Sequence, residues 1–278
     1  MEVWGGSRAI DTSASVPGLD VYVSSVPYAG DDAGGDVHYV SLCGAGAIAR
    51  FVLADVSGHG EGVRRVAEVL RGLVRKNINT VDQSRFTEAI GDEFSRLAEG
   101  GTFATAVLAS YFATTQHLVL TNAGHPRPMY RSAATGAWSP LHEAAEGVEL
   151  ARSARDVGID NLPLGIIEPT AYHQYAVKLA VGDVVVFYTD ALMESVGADG
   201  EQLGEAGVLD IARELPAEDP SEIGRGLLGA VRGLRGGGDA GDDETVVVLR
   251  HNGAPPPPQS VADRLRTVCR LVAGPAER

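Results

Sequence analysis

Four short acidic segments lie at the edges of apolar runs in this chain: Gly34-Gly35-Asp36, Asp55-Val56-Ser57-Gly58-His59-Gly60, Tyr188-Thr189-Asp190 and Asp242-Asp243-Glu244-Thr245. Their placement predicts carboxylates brought together from distant parts of one chain. Crowded carboxylates repel and raise one another's pKa unless a cation sits between them, so such a cluster is easier to explain with bound hard divalent metal than without it. The expected chemistry is metal-assisted and acts on an anion.

Composition narrows the partners. A chain of 278 residues, 44% hydrophobic and 22% charged, is long enough for one large globular domain or two small ones. With 23 Lys+Arg against 37 Asp+Glu and a net charge of -14, it lacks the basic face that counterion release from nucleic acid requires, and an anionic membrane would repel it. Cys43 and Cys269 are too few for a disulfide framework and lack zinc-site spacing. The start has no basic-then-apolar leader, and the longest apolar runs, such as 184–188, fall far short of a membrane span. A soluble cytoplasmic protein is expected.

Residues 19–23, 37–42 and 47–54 read as strands, the last stopping at Asp55. Over 62–76 the apolar positions recur at helical spacing, with arginines, Arg64 and Arg65 among them, on faces expected to be solvated. A second helix starts at Asp82 or Ser84, carries Phe86, Ile90, Phe94 and Leu97 on one stripe and ends at Gly100-Gly101. Residues 104–113 and 118–122 predict an antiparallel strand pair, 132–162 predicts loops with a strand edge near Trp138 and Leu141, and 172–179 and 184–188 predict strands leading to Asp190. Helical spacing returns over 204–215 and 221–234. A flexible glycine-rich loop, 236–241, leads into Asp242, and 245–249 closes as a strand. The expected division is an N-terminal extension (1–17), a main domain (18–252), a Pro-rich linker (253–259) and an amphipathic C-terminal helix (260–278) with Val261, Leu265, Val268 and Leu271 or Val272 on one side.

Several motifs in order carry a resemblance over roughly residues 18–250. Asp55 to Gly60 resembles DxSGHG, Asn122-Ala123-Gly124-His125-Pro126 resembles NAGHP, and Pro163-Leu164-Gly165 resembles PLG. Gly182-Asp183 with Tyr188-Thr189-Asp190 resembles GD…YTDG, and Asp242-Asp243-Glu244-Thr245 resembles DDxT. Together they resemble the SpoIIE/RsbU branch of the metal-dependent (PPM, protein phosphatase 2C-like) serine/threonine phosphatases. The resemblance implies an α+β sandwich of two antiparallel sheets flanked by helices in α/β/β/α layers. It also implies a pair of Mn²⁺ or Mg²⁺ ions and hydrolysis of phosphoserine or phosphothreonine on a protein, such as an anti-sigma-factor antagonist in a partner-switching pathway.

Carried over by position, Asp55 would bridge both metals, the Val56 carbonyl would be a ligand of one, and Asp36 would face that same ion, directly or through water. Asp190 and Asp242 would hold the other, with Asp243 as a neighbouring carboxylate. Asp55, Asp190 and Asp242 would act through metal-activated water, attacking in line without a covalent phosphoenzyme. Two positions depart from the pattern: Ala191 stands where the family has Gly, and Tyr39 where GGD is followed by a second Asp. His59, His125 and Asp183 read as structural turn residues. The alternatives are a phosphatase-like binding module without turnover, suggested by Ala191 and Tyr39, and a serine hydrolase using Ser57 and His59, disfavoured because no G-x-S-x-G elbow is present. A regulatory protein or a second copy is expected to act through residues 62–99 or 260–273.

Overall fold

From Phe51 to Val56 the side chains alternate between two buried environments: Phe51 and Leu53 face one apolar cluster, while Val52, Ala54 and Val56 face another. A strand apolar on both faces must be covered on both, which requires a layered architecture. Burying a side chain such as Leu53 or Phe51 contributes about 1.5–3 kcal/mol.

The computed structural model describes residues 2–58, 61–97, 101–153, 155, 158–197, 200–236 and 241–256. The chain opens with β1 (Glu2–Arg8), β2 (Ile10–Val16), β3 (Leu19–Val26), β4 (Ala33–Cys43) and β5 (Ile48–Val56). Helices α1 (Glu61–Asn77) and α2 (Gln83–Leu97) follow, then β6 (Ala104–Phe112), β7 (His117–Ala123), β8 (Met129–Arg131), β9 (Trp138–Pro140), β10 (Val148–Ala151), β11 (Gln174–Lys178) and β12 (Val184–Tyr188). The last elements are α3 (Ala191–Glu194), α4 (Gly204–Arg213), α5 (Pro220–Leu234) and β13 (Glu244–His251). A seven-stranded sheet runs β1-β4-β5-β6-β7-β11-β10, and a six-stranded sheet runs β2-β3-β13-β12-β8-β9. Within both sheets neighbouring strands pair antiparallel.

Three apolar clusters define the layers. One fills the space between the sheets, with Val23, Phe51, Leu53, Val107, Phe187 and Val247. A second lies between the seven-stranded sheet and α1 and α2, and a third between the six-stranded sheet and the helices after β12. This is the α/β/β/α sandwich expected from the motifs.

Residues 1–17, expected as an extension, instead supply an edge strand to each sheet. β1 pairs with β4, and β2 pairs with β3 along its whole length. Arginines read as solvated help to hold β1: Arg71 reaches the Glu2 carboxylate at 2.5 Å and Arg75 at 3.1 Å, while Arg64 binds Asp31 at 2.6 Å. Within residues 132–162 the strand edge expected near Trp138 is β9, and a further short strand, β10, stands where loops were expected. Asp82, not Ser84, caps α2, accepting the Arg85 N–H at 3.1 Å. The expected C-terminal helix and most of the glycine-rich loop lie outside the described residues. Among the described residues no helix is long and apolar enough to cross a membrane.

Candidate metal centre at one end of the sandwich

Cross-strand register sets the first half of the site. Asp36 in β4 and Asp55 in β5 are direct Cα partners, and Asp55 is opposite Thr105 in β6. Asp55 shares its strand face with Phe51 and Leu53, so alternation aims it into the inter-sheet space where the apolar filling stops.

The second half comes from the other sheet. Tyr188, the last residue of β12, pairs with Val246 near the start of β13, which brings Thr189-Asp190 and Asp242-Asp243 to one end. A hydrogen bond crosses the sheets, with Thr189 Oγ1 donating to Asp36 Oδ2 at 3.0 Å. The same hydroxyl accepts the Thr245 N–H at 3.0 Å, which ties both strand ends to Asp36.

Asp243 closes the junction from its side. Its Oδ1 accepts the Tyr28 N–H at 2.6 Å, and its Oδ2 accepts the N–H groups of Gly35 at 2.5 Å and Asp36 at 3.1 Å. These contacts explain Gly34-Gly35. A Cβ on Gly34 would stand 2.0 Å from Asp243 Oδ2, and one on Gly35 would stand 2.8 Å from Val63 and 2.9 Å from the Val56 carbonyl oxygen. Neither position has room for a side chain, and the Val56 carbonyl therefore lies against the start of β4 beside Asp36.

The electrostatics follow from burial without counter-charge. Burial, then the charges of Asp190, Asp242 and Asp243, pushes the Asp55 carboxyl up to about 8. Burial, then Glu194 and Asp242, pushes Asp190 up to about 6, and Asp36 is raised well above the usual carboxylate range by burial and by Asp55 and Asp243. Among the described residues no arginine or lysine pairs with Asp36, Asp55, Asp190 or Asp243. Nor do three or more His, Cys, Asp or Glu side chains among them form a ready metal-binding group. Charges interact over several ångströms whereas Mg²⁺ takes its oxygens at about 2.0–2.1 Å, so these carboxylates converge on one mouth without being drawn to a common point. Carboxylates and a backbone carbonyl are hard donors. The residues present fit Mg²⁺ or Mn²⁺.

The remaining motif residues are structural. Asn122 accepts the His125 N–H at 2.7 Å and donates to the His125 carbonyl at 2.9 Å, while the ring Nδ1 shares a 2.8 Å hydrogen bond with Thr105 Oγ1. Burial drives the His125 imidazole down to about 3, so it stays neutral. Pro163 packs where a Gly124 side chain would stand, and Leu164 exchanges backbone hydrogen bonds with Ala104 at 2.8 and 2.9 Å. Asp183 accepts from the Ala180 and Ala133 amides and the Tyr130 hydroxyl, each at 2.8 Å. Ser57 Oγ accepts the Phe103 N–H at 3.1 Å, and His59 lies outside the described residues.

Both sequence departures sit in regular secondary structure. The chain enters α3 directly after Asp190, whose φ is -63° and ψ -24°, so Ala191 is helical and needs no positive φ. Tyr39 packs on the helix-facing side of β4. The sequence alone assigns no role to Thr189. The available signal was alternation: Phe187 and Thr189 share a phase, as do Val247 and Thr245, and Phe187 and Val247 face the inter-sheet core.

Two antiparallel sheets flanked by helices, with acidic strand ends at one mouth, define the class of PP2C-type phosphatases, which are metal-dependent and act on serine and threonine phosphoesters. The family model for stage II sporulation protein E (SpoIIE) matches residues 46–252, and the chain belongs to this family. It is similar to the RsbU and RsbW domains of Rv1364c from Mycobacterium tuberculosis, at 26% identity and TM-score 0.69 over 95% of this chain and 70% of that one. The SiaA-PP2C domain of Pseudomonas aeruginosa shares the fold at 16% identity and TM-score 0.68, over 84% of this chain and 86% of that one. So does the PP2C phosphatase domain of SpoIIE from Bacillus subtilis with a fragment of its regulatory domain, at 18% identity and TM-score 0.67, over 86% of this chain and 64% of that one.

Proposed function

We propose that the protein removes phosphate from phosphoserine or phosphothreonine on a small bacterial regulator of the partner-switching, anti-sigma-factor antagonist type. The observation that carries this reading is the meeting of Asp36 and Asp55 from one sheet with Asp190, Asp242 and Asp243 from the other. Asp55, Asp36 and the Val56 carbonyl would hold one Mn²⁺ or Mg²⁺ ion, and Asp55, Asp190 and Asp242, with Asp243 beside them, the other. When bound, such ions supply an activated water and offset charge on the phosphoryl oxygens. Thr189 orients Asp36, and Asp243 holds the Gly35-Asp36 segment of β4 through its amides. A cavity of about 390 Å³ beside Asp242, lined by Glu194, Ser195, Gln202 and Arg235, receives residues flanking the phosphorylated side chain. The protein works in the cytoplasm, where its two cysteines stay reduced, and α1 and α2 present the surface for a regulatory protein or a second copy. In the test, Mn²⁺ stimulates hydrolysis of p-nitrophenyl phosphate and of a phosphorylated antagonist, and Asp55→Ala and Asp190→Ala abolish both. Full activity in those variants refutes the reading.

One observation favours a second reading, a module that binds phosphoproteins without turnover: both Asp243 oxygens are committed to backbone amides. That reading predicts capture of the phosphorylated antagonist with no phosphate release at saturating Mn²⁺.

A further inference from the structure

Glu244 heads β13 directly after the Asp242-Asp243 pair, and its side chain is 3% exposed. A third carboxylate here would add to the repulsion at the mouth, but α5 supplies cations against it. Arg232 Nε donates to Glu244 Oε2 at 2.9 Å, and Arg235 Nη2 donates to Oε1. Arg235 is itself 9% exposed and lines the cavity beside Asp242. Between these partners the sequence runs through Gly236, Gly237, Gly238 and Gly241, the residue type that loses most conformational freedom on ordering.

We infer that Glu244 is a positioning residue for metal capture, clamped by Arg232 and Arg235 so that Asp242 and Asp243 reach the mouth already ordered. The inference rests on the phosphatase reading and adds a role to a residue inside the acidic motif that touches neither substrate nor ion. The physical argument is loop closure. Closing the chain across the eight residues that separate Arg235 from Glu244 costs about 2 kcal/mol. A buried carboxylate held by two guanidiniums offsets that cost before a cation arrives. Without the clamp, cation binding itself must fix Asp242 and Asp243, and affinity falls. Partners that orient metal ligands typically change affinity by about 10–100-fold when removed.

The experiment titrates Mn²⁺ into the metal-free protein, reading free Mn²⁺ by electron paramagnetic resonance, for wild type, Glu244→Gln, Arg235→Gln and Asp55→Asn. p-Nitrophenyl phosphate hydrolysis is measured in parallel at saturating Mn²⁺. Expected are a Kd for Mn²⁺ raised about 10–100-fold in Glu244→Gln and Arg235→Gln, with kcat at saturating metal within about threefold of wild type in Glu244→Gln. Arg235→Lys, which keeps the charge, should recover part of the lost affinity. A Kd equal to wild type in both clamp variants overturns the inference, as does a kcat loss in Glu244→Gln that saturating Mn²⁺ does not restore, which marks a purely structural role. If Asp55→Asn binds Mn²⁺ like wild type, the metal reading itself has failed; if only the clamp variants bind normally, the inference alone has.

Discussion

Carboxylates crowd together at two places in this molecule, and the two crowds are neutralised differently. Between α2 and the segment before β11, Arg155 grips Asp92 through two nitrogens at 2.9 and 3.0 Å. Glu168 accepts from Ser95 at 3.2 Å and from the Thr170 amide at 3.3 Å. Asp92 is accordingly held below the usual carboxylate range by its hydrogen bonds from Arg155, and within this group only Glu168 is pushed up, to about 7, by burial and by Asp92. At the mouth of the sandwich Asp36, Asp55 and Asp190 are all raised, and no arginine or lysine answers them among the described residues. Crowding alone is therefore a poor sign of a metal centre. Crowding with no built-in cation is a good one.

The strongest challenge to this contrast is Asp55→Asn. It should lower Mn²⁺-stimulated hydrolysis by about 10³-fold or more, a loss of several kcal/mol at the transition state. It should also raise the thermal midpoint of the metal-free protein at pH 7, because a carboxyl whose ionisation is opposed by burial and by neighbouring carboxylates is gone. An unchanged rate breaks the comparison at its metal-binding end. Gly34→Ala comes next: its Cβ displaces the Asp243 carboxylate, and calorimetric Mn²⁺ affinity should fall about 10–100-fold. Arg155→Ala tests the other cluster. Its pair with Asp92 is partly exposed, so urea unfolding should show a loss of only about 1 kcal/mol, with activity within about threefold of wild type.

Glu168 supplies a pH test with a definite sign. Its folded pKa of about 7 lies above the 4.5 of the free side chain, so its stabilising contribution is complete below 4.5 and lost as pH rises through 7. Glu168→Gln should flatten the decline of the thermal midpoint between about pH 4.5 and 7 by about 2 °C. The smallest effect belongs to Ala191→Gly. Because residue 191 is helical, restoring the family's glycine should leave kcat within about twofold and cost about 0.5–1 kcal/mol of stability. A large gain in activity there would show that the loop does require glycine.

Much of the site was legible in the chain because strand ends have local signatures. Asp55 follows an apolar run and Asp190 follows Val184–Tyr188, so each could be placed at the end of a strand before any fold was known. β1 and β2 are not legible in the chain because Gly5, Gly6, Asp11, Ser13 and Ser15 carry weak strand signals, and it is pairing with β4 and β3 that makes them strands. The Ala191 departure looked threatening because a glycine in a motif suggests positive φ, and the entry into α3 removed that requirement.

Local residue order thus carried the acidic strand ends, the two helices after Asp55 and the apolar alternation, all of which depend on neighbours within a few positions. Which carboxylate faces which depended on register and sheet stacking: Asp36 opposite Asp55, Thr189 reaching Asp36 across 153 positions, and Asp243 reaching the Gly35 amide across 208. Such contacts are set by the packing of two sheets around a shared core, and no local pattern encodes a distance between residues so far apart.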